Sequence, residues 1–105
     1  MTKPPVPKTV KSFSGSFGGV WQAFQKLGEE CHGAGPLDDR TRRLVKVGIA
    51  AAAQSEGALH SAVRHAKAAG ISAAEIRHVI VLSITTIGFP RAMAALSWAD
   101  DILSK

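Results

Sequence analysis

Apolar residues recur at three- and four-residue steps along most of this chain, which is the period of one face of an α-helix. The first apolar stripe predicts a helix over about residues 16–32 and consists of Phe17, Val20, Trp21, Phe24, Leu27 and Cys31. Gly33, Gly35 and Pro36 follow the stripe, and residues of these types commonly end helices. The first third of the chain therefore predicts one amphipathic helix.

Two more helices are predicted in the middle of the chain. The second begins near Asp38, where a carboxylate suits the positive end of the helix dipole, and runs to residue 53. The third spans residues 55–69, with Ser55 as its N-cap and Gly70 as its C-terminal stop. Its inward stripe consists of Leu59, Val63 and Ala66.

The fourth helix has the strongest start signal in the sequence, because Ser72 and Glu75 fit a capping box. Residues 79–87 are apolar on almost every side of this helix, so we expect this segment to be buried all round. Pro90 suits the first turn of a fifth helix that ends near residue 103. Apolar surface of this extent exceeds what a small monomer covers, and it predicts a homo-oligomer.

No strand signal competes with the helical pattern, since the sequence has no Asn-Gly or Asp-Gly hairpin turn. The predicted fold is an all-α, oligomeric bundle of about five helices. The 105 residues suit one domain, which we place at residues 16–105. Residues 1–15 contain prolines and lysines and are predicted to form an extended, solvated leader.

Net charge and the length of the apolar runs indicate which kinds of partner and which cellular location to expect. The formal net charge is +5, but much of the excess positive charge comes from Lys3, Lys8 and Lys11 in the predicted leader. A second basic group, within the predicted second helix, has no aromatic residues between its members: Arg40, Arg42, Arg43 and Lys46. We therefore expect no nucleic-acid partner. The sequence has no apolar run of about 18 residues and no signal-peptide pattern, which predicts a soluble, cytoplasmic protein without membrane contact.

Glu56 and His60 are the strongest candidates for chemistry, because a spacing of four places them on one face of the third helix. A carboxylate beside an imidazole fixes its tautomer and raises its basicity, as a general base requires. The alternative is an ordinary surface pair. Arg64 continues the same side and could bind an anionic substrate, or it is simply solvated.

Cys31 is the only cysteine, so one chain cannot form a disulfide, a CxxC redox pair or a cysteine zinc site. It is either a small hydrophobe of the first helix or a nucleophile that this helix brings to Glu56 and His60. Trp21 and Phe89 either pack in the bundle or line a small apolar substrate pocket. We predict no metal or cofactor. The alternative is a metal held by Glu56, His60 and a ligand from a neighbouring subunit.

Three segments carry a more specific signal: GPLDDRTRRLVKVGIA, EGALHSAVRHAKAAGISAAEIRHVI and ITTIGFPRAMAALSW. Over about residues 35–104 they resemble the carboxymuconolactone decarboxylase or AhpD-like alkylhydroperoxidase family. The resemblance implies an all-helical core that assembles as trimers, often hexamers. It also implies an active site at the start of the helix that begins near Ser55.

Redox members of that family carry a Glu, a Cys-x-x-Cys pair and a His, and alignment on Gly70 shows which residues replace them. The corresponding positions are Arg43, Ser55, Ala58 and Ala62, so none of the four family residues is present. The chain therefore more closely resembles the decarboxylase branch, which relies on acid–base residues. Peroxidase or peroxiredoxin-type activity is implied by the family resemblance alone.

Two hypotheses follow for function. The first is a small-molecule enzyme, decarboxylase-like or alkylhydroperoxidase-like, in which Glu56 orients His60, His60 moves a proton and Cys31 acts as nucleophile or reductant. The second is a non-catalytic, oligomeric ligand-binding or assembly protein on the same fold.

Overall fold

The structure, a computed structural model, describes residues 7–104, and every regular element in that range is a helix. These elements are α1 (Lys8–Ser16), α2 (Gly18–His32), α3 (Asp39–Ala52), α4 (Glu56–Ala68), α5 (Ala73–Leu82), α6 (Ile84–Ile87) and α7 (Phe89–Leu103). The predicted all-α class is confirmed. Over the described range, no helix is both long enough and apolar enough to cross a membrane.

The described residues fall into two compact units, which divide between Leu37 and Asp38. We call residues 7–37 the N-terminal unit and residues 38–104 the C-terminal unit. The prediction of one domain over residues 16–105 stays a prediction.

The N-terminal unit is a pair of helices, α1 and α2, that contact each other. The predicted extended leader is wrong for residues 8–15, which belong to α1, while residues 1–6 lie outside the described range. Pro7 occupies the N-cap position of α1, where its fixed φ is compatible with the start of a helix. No proline follows within α1. Neither helix contains a buried residue.

The C-terminal unit contains a continuous apolar core. Helix α4 packs against α3 and α7, and α5 packs against the same two helices. The residues of this core are Val47, Ala50, Ala51, Leu59, Val63, Ala66, Ile71, Ile76, Ile80, Ala95 and Ala99. Alanine is frequent among them, and such small side chains let helix axes approach closely. The predicted inward stripe of α4 is confirmed, since its three members are fully buried.

The predicted fourth helix is two helices, α5 and α6, separated at Ser83. The Ser83 hydroxyl donates to the Ile80 carbonyl oxygen at 2.6 Å, and its backbone N–H donates to the same oxygen at 3.0 Å. Hydrogen bonds of this local kind compete with the regular helical pattern and tighten the chain.

The expectation that residues 79–87 are buried all round is wrong. Ile80 is fully buried, but Val81 is 48% exposed and Leu82 is 63% exposed. Helix α5 has neighbours on the α3 and α7 side, and the other side of the segment faces away from that core. The C-terminal unit therefore presents an apolar surface of its own.

Local hydrogen bonds and backbone conformation fix the starts of α4, α5 and α7. Ser72 and Glu75 form the predicted capping box at the start of α5. Gly88 precedes α7 with φ +91° and ψ 157°, a region that is essentially restricted to glycine. Gln54, between α3 and α4, has φ +53°, and its side-chain amide donates to Ala51 O and Arg91 O, each at 2.9 Å. This amide ties the turn before α4 to the start of α7.

Candidate functional site

Glu56 and His60 lie in the first two turns of α4. Ser55 caps this helix, since its hydroxyl oxygen accepts a hydrogen bond from Ala58 N at 3.3 Å. Glu56 is exposed, whereas His60 is half-buried beside the apolar stripe of α4. The helix thus holds one carboxylate and one imidazole a turn apart at the boundary between core and solvent.

Asp101 completes the group from the last turns of α7. The His60 Nε2 atom lies 2.9 Å from Asp101 Oδ2, which is a short hydrogen-bond distance. The His60 side chain is 21% exposed and that of Asp101 is 54% exposed. An imidazole in this contact has its orientation fixed by the carboxylate, because the ring must keep one nitrogen directed at the acceptor.

Glu56, His60 and Asp101 form one cluster, in which one ligand atom of each residue lies within 4.8 Å of the other two. The sequence predicted that Glu56 would orient His60. In the structure, the carboxylate that is hydrogen-bonded to His60 belongs to Asp101, and Glu56 lies nearby. An imidazole whose Nε2 is directed at one carboxylate, with a second carboxylate nearby, has the arrangement of a positioned general base.

The two carboxylates at the end of α7 have different partners. The Arg77 side chain of α5 donates through Nε to Asp100 Oδ1 at 3.0 Å, while Asp101 contacts His60. Lys67 Nζ donates to the Ile102 carbonyl oxygen at 3.3 Å, which is where a cation suits a helix C-terminus. Asp100 therefore serves a structural ion pair, and Asp101 is the carboxylate available to the imidazole.

The clearest pKa shift in the C-terminal unit belongs to Asp38, at the N-cap of α3. Hydrogen bonds from the Thr41 side chain and backbone lower the pKa of the Asp38 carboxyl below its ordinary value. The cause is that both hydrogen bonds favour the ionised form. This group caps a helix and is separate from the cluster around His60.

The predicted substrate-binding residues of the C-terminal unit lie at different distances from His60. Arg64 is half-buried and follows His60 by one turn of α4, so the two side chains share a face. Phe89 is 60% exposed and is the first residue of α7. Twelve residues separate it from Asp101, about 18 Å along the helix axis. The structure therefore places Arg64 beside the cluster and Phe89 at the other end of α7.

Cys31 and Trp21 belong to the N-terminal unit. Cys31 is exposed in the last turn of α2, and its thiol is free. Trp21 is half-buried and its ring stacks on Phe24, with ring centroids 5.8 Å apart. A role for either residue at the Glu56 and His60 site stays a prediction.

Sequence reasoning missed Asp101, although the sequence contained a usable signal. Asp100 and Asp101 put two carboxylates into the last turns of a helix, where the helix dipole disfavours negative charge. Such a placement calls for compensating partners on neighbouring helices, and Arg77 and His60 are those partners. Spacing along one helix identified Glu56 and His60, but the contact with α7 depends on tertiary packing.

Comparison with known proteins gives a match to one protein family. The model of the carboxymuconolactone decarboxylase family matches residues 19–101 of this chain. The match includes Glu56, His60 and Asp101, as well as Cys31. No protein of curated function matches the chain significantly.

Proposed function

Because the chain belongs to the carboxymuconolactone decarboxylase family, we propose that it is a small-molecule enzyme that works by acid–base chemistry at His60. The observation that carries this proposal is the 2.9 Å contact between His60 Nε2 and Asp101 Oδ2. No step needs a cofactor, since the proposed proton transfers use side chains of this chain alone.

In the proposed mechanism, Asp101 accepts a hydrogen bond from Nε2–H of neutral His60. This tautomer leaves the Nδ1 lone pair of His60 available, and within residues 7–104 that nitrogen has no protein partner. Nδ1 then takes a proton from the substrate and returns it to the product. The carboxylates of Asp101 and Glu56 stabilise the imidazolium formed between these two steps.

The proposed substrate is a small organic acid or lactone. Arg64 lies one turn beyond His60 and would hold an anionic group of the substrate near the base. A role for Trp21 as an apolar contact of the substrate stays a prediction, while Phe89, about 18 Å from Asp101 along α7, does not reach a small substrate held at His60 of the same chain. A cytoplasmic location is part of this proposal.

A second form of the proposal uses the thiol of Cys31 as nucleophile or reductant, in a peroxidase-type reaction. The observation that favours it is the exposure of the thiol, which leaves it accessible to a peroxide. The absence of a second cysteine in the chain means that the resolving thiol would have to come from another molecule.

Homo-oligomerisation, as a trimer or hexamer, is also proposed. In the C-terminal unit the exposed large apolar side chains are Val45, Ile49, Val81, Leu82 and Phe89. In the N-terminal unit they are Phe17, Val20, Phe24 and Leu27, together with Leu37 where the unit ends. Apolar surface of this extent favours contact with further copies of the chain. A non-catalytic assembly protein is the alternative that these surfaces alone would support.

Turnover of a panel of lactones, carboxylated lactones and organic peroxides tests the proposal. We expect Asp101→Asn and Glu56→Gln to lower kcat, and Cys31→Ser to leave lactone turnover unchanged. Loss of peroxide turnover in Cys31→Ser, with no effect of Asp101→Asn, would instead favour the thiol form. No turnover of any panel member by the parent protein would support the assembly alternative and contradict both enzymatic forms.

A further inference from the structure

The cluster on α4 and α7 also has the donor atoms of a metal site. We propose that Glu56, His60 and Asp101 bind one divalent ion of the first transition row, and that a bound ion prevents His60 from acting as a base. The first half of this inference stands on the geometry of the three side chains, and the second half rests on the proposed function.

The spacing of the ligand atoms fits one ion with little movement. A tetrahedral ion with nitrogen and oxygen bonds of about 2.0–2.1 Å holds its ligand atoms about 3.3 Å apart. His60 Nε2 and Asp101 Oδ2 are 2.9 Å apart, so this pair needs to open only slightly. The third ligand atom, from Glu56, lies within 4.8 Å of the other two and belongs to an exposed side chain that can rotate inward.

The backbone holds two of the ligands in a fixed relationship. Glu56 and His60 are four residues apart on α4, which brings their side chains over the same turn of helix. Asp101 is carried by α7, which packs against α4 along the core. Binding therefore requires side-chain rotation and no rearrangement of the helices.

The two carboxylates of the cluster favour a cation supplied from solvent, and Arg64, one turn beyond His60, is the nearby positive charge that opposes it. Within residues 7–104 Glu56 has no ion pair, and the side-chain partner of Asp101 is His60. No arginine or lysine has to be displaced from either carboxylate. Two carboxylates would offset the charge of a divalent ion, and the neutral imidazole adds no repulsion.

The donor set defines the class of ion. One imidazole and two carboxylates suit Zn²⁺, Co²⁺, Ni²⁺ or Mn²⁺, while the absence of a thiolate disfavours softer ions. Three protein ligands leave one coordination position open, as in catalytic rather than structural zinc sites. The exposure of Glu56 and Asp101 leaves the site open to solvent.

Metal binding and base function exclude each other at His60. If the ion takes Nδ1, the lone pair that would accept the substrate proton is occupied. If it takes Nε2, the single proton of the neutral imidazole must sit on Nδ1, which then has no lone pair to accept the substrate proton. In either case the ion acts as a reversible inhibitor of the proposed acid–base reaction.

Calorimetric titration of the full chain with Zn²⁺ tests the site directly. We expect one ion per chain in the parent protein, and an affinity at least about tenfold weaker in Glu56→Gln, His60→Gln and Asp101→Asn. These side chains lie at the surface or half-buried, and circular dichroism checks that each variant keeps its helix content.

Two matched variants control for nonspecific effects. His65→Gln changes the same residue type on the same helix, where His65 Nδ1 donates to Ser61 O at 2.7 Å. Asp100→Asn changes the carboxylate next to Asp101, which pairs with Arg77. Both variants should bind Zn²⁺ like the parent protein.

The metal site is overturned if the parent protein does not bind Zn²⁺, if Glu56→Gln and Asp101→Asn bind it unchanged, or if His65→Gln loses it equally. Turnover in the presence of a chelator tests the exclusion. Inhibition by added Zn²⁺ supports it, while activation of the chelated protein by Zn²⁺ contradicts it. Because the titration uses no substrate, its failure leaves the acid–base proposal standing, and failure of turnover leaves the metal site standing.

Discussion

Helices α2 and α4 both carry apolar residues at helical spacing, but the stripe of α4 is buried and the stripe of α2 is exposed. On α4, Leu59 and Val63 are fully buried, because α3 and α7 cover that face. On α2, Phe24 is 62% exposed and Leu27 is 60% exposed within the same chain. An apolar stripe predicts that a surface will be covered, but it does not say whether the same chain supplies the cover.

The largest expected effect comes from making the same substitution, Leu→Ala, once in the stripe of α4 and once in the stripe of α2, and comparing the loss of stability. Leu59→Ala should destabilise the protein by about 2–5 kcal/mol, because it removes a fully buried side chain and leaves a cavity. Chemical denaturation measures this loss. A cost below about 1 kcal/mol would mean that the core around α4 is loosely packed.

Leu27→Ala is the matched change on α2. At protein concentrations where the chain is monomeric, we expect it to change the free energy of unfolding by less than about 0.5 kcal/mol, because Leu27 is exposed. The cost should rise with concentration as an assembly covers the stripe. Denaturation at two concentrations, with mass from sedimentation, tests this. A large cost at every concentration would show that the chain itself buries the stripe.

A smaller effect on stability is expected at the start of α5, the helix that packs against α3 and α7. Ser72→Ala should cost about 1 kcal/mol, because it removes the hydroxyl that accepts from Glu75 N in the capping box. Ser97→Ala is the control, since Ser97 Oγ bonds only within its own helix, to Ala94 O. Thermal unfolding should separate the two variants, and equal melting temperatures would contradict the role of the cap.

The smallest expected effect is a pH dependence at the start of α3. The folded state lowers the pKa of Asp38, so the ionised carboxylate stabilises the fold above its ordinary pKa. This contribution is lost as pH falls through the lowered value. Asp38→Asn keeps a helix-capping side chain but removes the charge, so the parent should be more stable than the variant near pH 7 and approach it near pH 3. A difference independent of pH would contradict this account.

The helices of the C-terminal unit were predictable because their signals are local. Ser55, Ser72 and Gly70 mark helix boundaries through hydrogen bonds and backbone conformation that involve only neighbouring residues. The helix α1 was missed because the prolines before it, together with lysines before and within it, suggested an extended chain. The break at Ser83 was missed because a serine within an apolar run is compatible with a continuous helix until its hydroxyl bonds backward.

The candidate site was predictable only in part, for the same physical reason. Glu56 and His60 share a helix, so their proximity follows from a spacing of four. Asp101 is 41 residues from His60, and its contact depends on how α7 packs against α4. The acidic end of α7 calls for a compensating partner, but the sequence alone does not identify which helix supplies it.

The central claim is that His60 is the functional base, and the most direct test compares two histidines of α4. Turnover of the preferred lactone would be measured for His60→Gln and for His65→Gln, whose imidazole is bonded to its own helix. We predict a loss of kcat of about 10²–10⁴-fold in His60→Gln and no loss in His65→Gln, as expected for removal of a general base. Equal turnover in the two variants would contradict the account.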